Sequence, residues 1–571
     1  MGSIALVRLD PSDSWMGTPL VRSSRLLMLA LLLVLAATSV GRAAFEERGG
    51  ESGRTDRASL EGEILRLIGA TGWRASEWSI LAVSLERGDT LLAIGSDRVL
   101  APASNQKLFT TAAALHHLGP KFRFPTYLMT DGVVVEGTLH GDLILYGTGD
   151  PAMSDRLLAS AEDPFREFAR VLREIGIDRV AGEILGDGSY FEGPTRVESW
   201  NPQDLDDWFA APMSALSYRE NVVTLRMRPG SYPGAPVAVR TIPEGAGVPL
   251  INLGETSTAG GALLMVRAHP DDPIELRGRM RPNSPELQRD VTVSDPAAYA
   301  AAVLHYTLQT EGIVVDGGSR SLAPQEPSRL ISTRLVAPAF SSSAPGTRQS
   351  PSLSAPAHLR TLAVHYSPPV EVLIGVVNKR SHNLYAEQLL IAMGRVTRGQ
   401  GSFETGREAL TDFLVELVGV ARAEVEVVDG SGLSRLNRAS ANAFIQLLTY
   451  AAAAEYADLF WGSLPEAGNR QELGRMSQSA AAGNLRAKTG TINRVSALSG
   501  VVRTATGEPV LFSILSNNVP STSLAKRLED QIGIELAAFQ REWRPAPGQL
   551  ARVDFGSFGP RLLPLLGLEE E

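Results

Sequence analysis

Apolar positions recur along this chain in two rhythms, and the rhythm changes several times. "WSILAVSLERGDTLLAIGSD" (Trp78–Asp97) carries two runs of β-branched and apolar residues around a Gly88-Asp89 turn, the pattern of a strand pair. "APASNQKLFTTAAALHHLG" (Ala101–Gly119) then reads as the start of a helix. From about Thr126 to Val336 short apolar runs alternate with Gly, Pro and Asp, which predicts β-rich material with two helices, near Asp163–Ile175 and Ala297–Glu311. Within it, Val222–Asp290 is the most strand-like and Pro/Gly-rich stretch and reads as a further inserted module. Ala337–Ala357 is a low-complexity linker or loop. Helical periodicity returns at Asn383–Val396 and Gly406–Val420. Two strands follow in "VSALSGVVRTATG" and "EPVLFSILSNN", then an amphipathic helix from about Ser523 to Glu542.

This order predicts an α+β protein in which one domain opens the chain, over residues 58–125, and closes it, over 358–543. An inserted domain would take 126–221 and 291–336, with a further module over 222–290, a linker over 337–357 and a tail over 544–571. A chain of 571 residues is long enough for two or three domains.

The first 43 residues read as a targeting segment. Arg22 and Arg25 precede the 15-residue apolar run Leu26–Val40, and Gly41 and Ala43 are the small residues of a cleavage site. The run is short for a membrane span, which needs about 20 residues. A cleaved, exported precursor is the expected form, with periplasm or cell envelope as the destination. An uncleaved anchor is the alternative, and Met16 is a second place for translation to begin.

Composition then removes several chemistries. With no cysteine there is no disulfide, thiolate metal site, cysteine nucleophile or lipidated N-terminal cysteine. The formal charge of −9 argues against nucleic acid as a partner. The eight histidines form no HExxH, and the adjacent His116 and His117 point apart on a helix, so a metal site has little support.

The basic residues are unevenly chosen: 54 in all, of which only five are lysine. Lys107 lies one helical turn after Ser104, so hydroxyl and amine share a face. Ser104, at the start of the helix, needs a base to become a nucleophile. A buried lysine can be that base, whereas arginine stays protonated. The plain alternative is an N-cap serine with an exposed lysine. A second Ser-x-x-Lys, Ser523 to Lys526, reads as just such an N-cap. Lys488-Thr489-Gly490-Thr491 takes another lysine. Lys488 offers a positive charge to a substrate carboxylate, and Gly490 permits close approach of a ligand backbone; an ordinary turn before a strand is the alternative. Ser381 and Asn383 supply a second hydroxyl and an amide, for which helix capping is the competing reading.

Ser-x-x-Lys, Ser-x-Asn and Lys-Thr-Gly in this order form the three-part signature of penicillin-recognising serine enzymes. The chain resembles the class C low-molecular-mass penicillin-binding proteins, the D-alanyl-D-alanine carboxypeptidase/endopeptidases, from about Leu60 to Glu542. "LYGTGDP", "APMSALSYRENVV", "SHNLYAEQLL" and "DGSGLSRLN" extend the likeness, as does the 277-residue separation of Ser104 and Ser381.

The resemblance implies a penicillin-binding/serine β-lactamase-like catalytic domain, an antiparallel sheet flanked by helices plus a helical lobe, with inserted β-rich domains. It implies that Ser104 attacks a D-Ala-D-Ala carbonyl to form an acyl-enzyme with Lys107 as base. Ser381 passes a proton to the leaving amine, Asn383 holds the substrate amide, and Lys488 and Thr489 bind the terminal carboxylate. The N–H groups of Ser104 and Thr491 form the oxyanion hole. Arg435 meets a carboxylate of the peptide stem, with Asp187 and Tyr190 as further candidates for that pocket. Peptidoglycan peptides are the implied substrates and β-lactams the implied inhibitors, and the resemblance implies that no cofactor is needed. A β-lactamase or esterase on the same site, or an idle cell-wall-binding scaffold, are the alternatives. His382 stands where the family often has Asp, at a side chain that points away from the chemistry there, so little effect is expected of it.

Overall fold

The computed structural model describes residues 4–5, 57–330 and 359–543, apart from 260 and 324. The linker at 337–357, the tail from 544 and the leader, save Ile4–Ala5, lie outside the described residues. Ile4–Ala5 pairs with Met265 and Val266.

One five-stranded antiparallel sheet unites the two ends of the sequence. Its order is Leu485–Ile492, Val495–Arg503, Pro509–Asn517, Glu77–Ser84, Thr90–Ile94. Side chains alternate between its faces with period two. Ile80, Ala82, Leu498, Phe512 and Ile514 pack with Leu528 and Ile532 of the C-terminal helix Thr522–Ala538 and with Leu60 of the helix Arg57–Ala70. Leu81, Ala497, Val501, Leu511 and Leu515 face the other way, into a helical lobe. Both faces are covered, which is why these strands read as nearly continuous apolar runs.

The centre of the lobe is the helix Gln106–His117, whose residues Gln106 to Leu115 are all buried. Asn383–Arg398 packs beside it and is buried from Asn383 to Gly394, and Val370–Lys379 and Ala441–Ala453 share the same core. The helix expected over Gly406–Val420 starts earlier, at Phe403, where Ser402 caps it, and its last part, Phe413–Val418, winds as a π-helix before Gly419 ends it.

A second five-stranded sheet, Ser319–Ser321, Ile184–Asp187, Leu143–Gly147, Pro125–Thr130, Arg360–Tyr366, is built from strands between Pro125 and Tyr366 in sequence. The last of these strands follows the 337–357 segment and pairs antiparallel with Pro125–Thr130, so the chain re-enters this sheet before it returns to the lobe. The helices Asp163–Glu174 and Pro296–Thr310 share a core with Leu128, Leu145 and Ile184. The same core continues through Leu216 and Tyr218 into Val223, Leu225, Leu276 and Val291 of the Val222–Asp290 strand region, without an apolar break between them.

Candidate active site

Ser104 sits in a one-turn 3-10 segment, Ala103–Asn105, that leads into the central helix. Lys107 is the second residue of that helix. The turn is held from three sides. Asn105 Nδ2 donates to Ser499 Oγ in the sheet (2.7 Å). Asn517 brackets Ala101, accepting from its N–H at 3.1 Å and donating to its carbonyl at 3.0 Å. Gly490 passes so close that a Cβ there would stand 2.8 Å from the Pro102 oxygen and 3.1 Å from the amide nitrogens of Ser104 and Asn105. The glycine of Lys-Thr-Gly is therefore required by the protein's own backbone, which differs from the expected approach of a ligand backbone.

The Lys-Thr-Gly residues lie inside the edge strand Leu485–Ile492 and not in a turn before it. The polar side chains of "LRAKTGTI" hid that strand, but its inward positions are buried because they face the Ser104 turn. Thr489 is half-buried and Thr491 is exposed.

Lys107 is fully enclosed and all three of its ammonium directions are used. Nζ lies 3.0 Å from Ser104 Oγ, 2.7 Å from Asn383 Oδ1 and 2.7 Å from the Ser431 carbonyl. Burial pushes its pKa from 10.5 down to about 7, although the carboxylates of Glu387 and Asp429 pull upward. Lys488 is enclosed too. It donates to Ser381 Oγ (2.9 Å) and to the Thr489 carbonyl (2.8 Å). Burial lowers its pKa well below 10.5, and the charge of Lys107 adds to the effect. Each hydroxyl thus has its own amine, and both amines are pushed towards the neutral form that can accept a proton.

Ser381 adopts φ +55, a left-handed conformation uncommon for a residue with a Cβ. Asn383 begins the helix behind it. Its Oδ1 accepts from Lys107 and its Nδ2 donates to the Phe209 carbonyl (2.7 Å). The amide expected to hold substrate is thus already engaged on both ends, and it orients Lys107.

Sequence reasoning missed a buried layer beneath these groups. Glu387, one turn after Asn383 on the same helix face, accepts from the N–H groups of Gly430 and Ser431, both at 2.8 Å. Asp429 accepts from Gly432 N, Ser434 N, Asn437 Nδ2 and Trp200 Nε1. Burial and the neighbouring Asp429 raise the Glu387 pKa. Together the two carboxylates shape the loop that presents the Ser431 carbonyl to Lys107. The i,i+4 spacing from Asn383 was the one signal in the sequence that points to Glu387.

Other expected residues fall elsewhere. Arg435 is exposed on that loop and bonds the Asn493 carbonyl, at the turn that follows the Lys-Thr-Gly strand. Asp187 and Tyr190 are buried. Asp187 accepts from Ser189 N (2.9 Å) and Ser328 Oγ (2.5 Å), and Tyr190 packs with Tyr127, Tyr146 and Leu185 in a separate apolar cluster. The structure gives the Asp187 carboxylate internal partners and does not bring it to Ser104. The second Ser-x-x-Lys is not a cap pair: Ser521, not Ser523, caps the last helix, accepting from Leu524 N. Among the described residues no group of three His, Asp or Glu side chains is placed to hold a metal ion.

Two hydroxyls, each beside a buried amine, are an arrangement that can carry out acyl transfer, and comparison with known proteins shows the family. Residues 71–338 and 349–538 match the D-Ala-D-Ala carboxypeptidase 3 (S13) family, and the chain belongs to it. It is 29% identical over 487 residues to a D-alanyl-D-alanine carboxypeptidase of Actinomadura sp. (strain R39), covering 83% of each chain. It is 25% identical over 459 residues to the D-alanyl-D-alanine carboxypeptidase DacB of Haemophilus influenzae, covering 79% of this chain and 88% of the relative. The crystal structure of penicillin binding protein 4 from Haemophilus influenzae shares the fold, with a TM-score of 0.65 at 24% identity over 82% of this chain and 98% of that one. The α+β fold of the penicillin-binding proteins is the fold of this chain, and the protein is a serine DD-peptidase.

Proposed function

We propose that Ser104 is the nucleophile and Lys107 its base in hydrolysis of a D-Ala-D-Ala peptide bond. The observation that carries this reading is the buried Lys107 amine, 3.0 Å from Ser104 Oγ, with its pKa lowered to about 7. The neutral amine takes the Ser104 proton as Oγ attacks the carbonyl. The tetrahedral oxygen sits against the N–H groups of Ser104 and Thr491, where the strand and the 3-10 turn approach each other across Gly490. Ser381, coupled to Lys488, delivers its proton to the departing amine and takes up the one that Lys107 gained, so D-Ala leaves and Lys107 is neutral again. Water then attacks the ester by the reverse route, with Lys107 again as base, and Ser104 regains its proton. The substrate carboxylate meets Lys488 and Thr489, and its negative charge draws Lys488 back to the ammonium form. Asn383 serves as a brace for Lys107.

A strained β-lactam amide enters by the same first step and leaves the acyl-enzyme intact. Peptidoglycan stem peptides are the natural substrates, reached by export of the chain. Arg435, at the rim beyond Thr491, meets a stem carboxylate, and Asp187 is left a structural part. Residues 58–124 and 367–543 form the catalytic unit; the inserted part takes 125–336 and also the strand Arg360–Tyr366, which the expected boundary at 358 had assigned to the catalytic domain. The test is release of D-Ala from an N-acylated Lys-D-Ala-D-Ala peptide by wild type and by Ser104→Ala. Release that persists in the variant refutes the assignment.

A further inference from the structure

The residue between Ser381 and Asn383 is gripped as firmly as its neighbours. His382 is only 1% exposed, and its Nε2 lies 3.0 Å from Glu220 Oε2. With a carboxylate opposite, Nε2–H is the donor. Its other nitrogen, Nδ1, has no hydrogen-bond partner, and the ring is otherwise enclosed by Tyr385 (4.8 Å between ring centres) and Trp208 (5.4 Å). Glu220 is therefore the polar contact that fixes how His382 is turned.

Glu220 is itself fixed. Arg156 clasps its carboxylate with two bonds, at 2.6 and 2.9 Å. Burial opposes the charge, but His382 and Arg156 outweigh it and hold the carboxyl far below its usual range. Arg219, Glu220 and Asn221 are three consecutive non-glycine residues with positive φ, at 45°, 58° and 59°. Asn221 secures the segment by donating to the Pro212 carbonyl (2.8 Å) and to Ser217 Oγ (3.0 Å). Left-handed residues of this kind persist only where their surroundings over-determine them. Here they occur at both ends of one bridge: at Glu220, in the inserted region, and at Ser381, in the active site.

A cleft of about 520 Å³ borders the bridge, with Arg156, Trp208, Glu220, Arg380 and His382 in its wall. The bridge is thus a wall with free space beside it. With its bond to Glu220 cut, His382 keeps its contacts with Tyr385 and Trp208 but loses the polar contact that fixes its turn, beside this open space.

We propose that Glu220 is a positioning residue for Ser381, acting through His382, so that the inserted region holds the proton-carrying serine in its left-handed conformation. This rests on the reading of Ser381 as the group that protonates the leaving amine. His382→Asn, Glu220→Gln and the double variant are compared with wild type for kcat and KM on the D-Ala-D-Ala peptide, with thermal melts and penicillin labelling.

A misplaced reacting group costs roughly ten- to hundred-fold in rate. Each single variant is expected to lose that factor in kcat with KM within about two-fold, and the double variant to be no worse than the singles, since both cut the same bridge. A folded His382→Asn protein with wild-type kcat overturns the proposal, as do single losses that multiply in the double variant. If Glu220→Gln fails to fold, His382→Asn alone decides the matter, because it leaves the Arg156–Glu220 pair intact. Wild-type protein that takes no penicillin label defeats the parent reading of the site instead.

Discussion

Replacing Lys107 by arginine separates charge from basicity at the centre of the mechanism. An amine titrating at 10.5 is neutral about three times in ten thousand at pH 7, whereas one lowered to about 7 is neutral about half the time. Burial therefore raises the reactive fraction of Lys107 by about 10³-fold, equivalent to about 4 kcal/mol. Arginine forfeits all of it, because its guanidinium does not deprotonate in proteins. A general base is worth about 10²–10⁴-fold, so acylation of Lys107→Arg should fall by that order, to the level of Lys107→Ala. The assay is the stopped-flow rate of acylation by a fluorescent penicillin between pH 5.5 and 9, with melts to confirm folding. The wild-type rate should rise with pH through about 7, as the ammonium loses its proton, and then level off; the Lys107→Arg rate should stay low. Lys526→Arg supplies the control, because Lys526 is half-buried on the C-terminal helix, away from either hydroxyl. A Lys107→Arg protein that acylates like wild type refutes the reasoning.

Other outcomes follow from the same geometry. Lys488→Ala should impair hydrolysis of D-Ala-D-Ala peptides far more than of an ester lacking the terminal carboxylate, since a charge-assisted hydrogen bond is worth about 1.5–3 kcal/mol; equal losses in kcat/KM would assign Lys488 another task. Gly490→Ala should slow penicillin acylation at least ten-fold, equivalent to about 1.4 kcal/mol or more for displacing the Ser104 turn, and an unchanged rate would contradict the close approach across Pro102. Glu387→Ala strands the N–H groups of Gly430 and Ser431, so urea unfolding should show a loss of about 2–6 kcal/mol, at about 1–3 for each group.

What the sequence disclosed depended on whether a residue's role is local. Ser104 and Lys107 share a helix face, so their partnership is visible in one dimension, and a lysine in a chain rich in arginine marks it further. Strands such as Pro509–Asn517 were legible because both faces are buried and the run is almost wholly apolar. The Lys-Thr-Gly strand was harder to read, since its polar side chains serve the site and break the apolar pattern. Glu387 and Asp429 act on Lys107 through their charge and through the loop that they shape, which meets it 324 residues later in sequence, at Ser431. Nothing in the sequence announces Ser328, 141 residues away, as a partner of Asp187. His382 was read as facing away from the chemistry. The Glu220 that receives its side chain lies 162 residues earlier and was invisible without the fold.

The central claim is that Ser104 forms the acyl-enzyme, and one measurement bears on it directly. Folded protein is incubated with penicillin, its intact mass is taken, and the adduct is located by peptide mapping. The account predicts one penicilloyl group per chain, on the peptide bearing Ser104, and none in Ser104→Ala. A stable adduct on any other residue, or no adduct in folded wild-type protein, would contradict it.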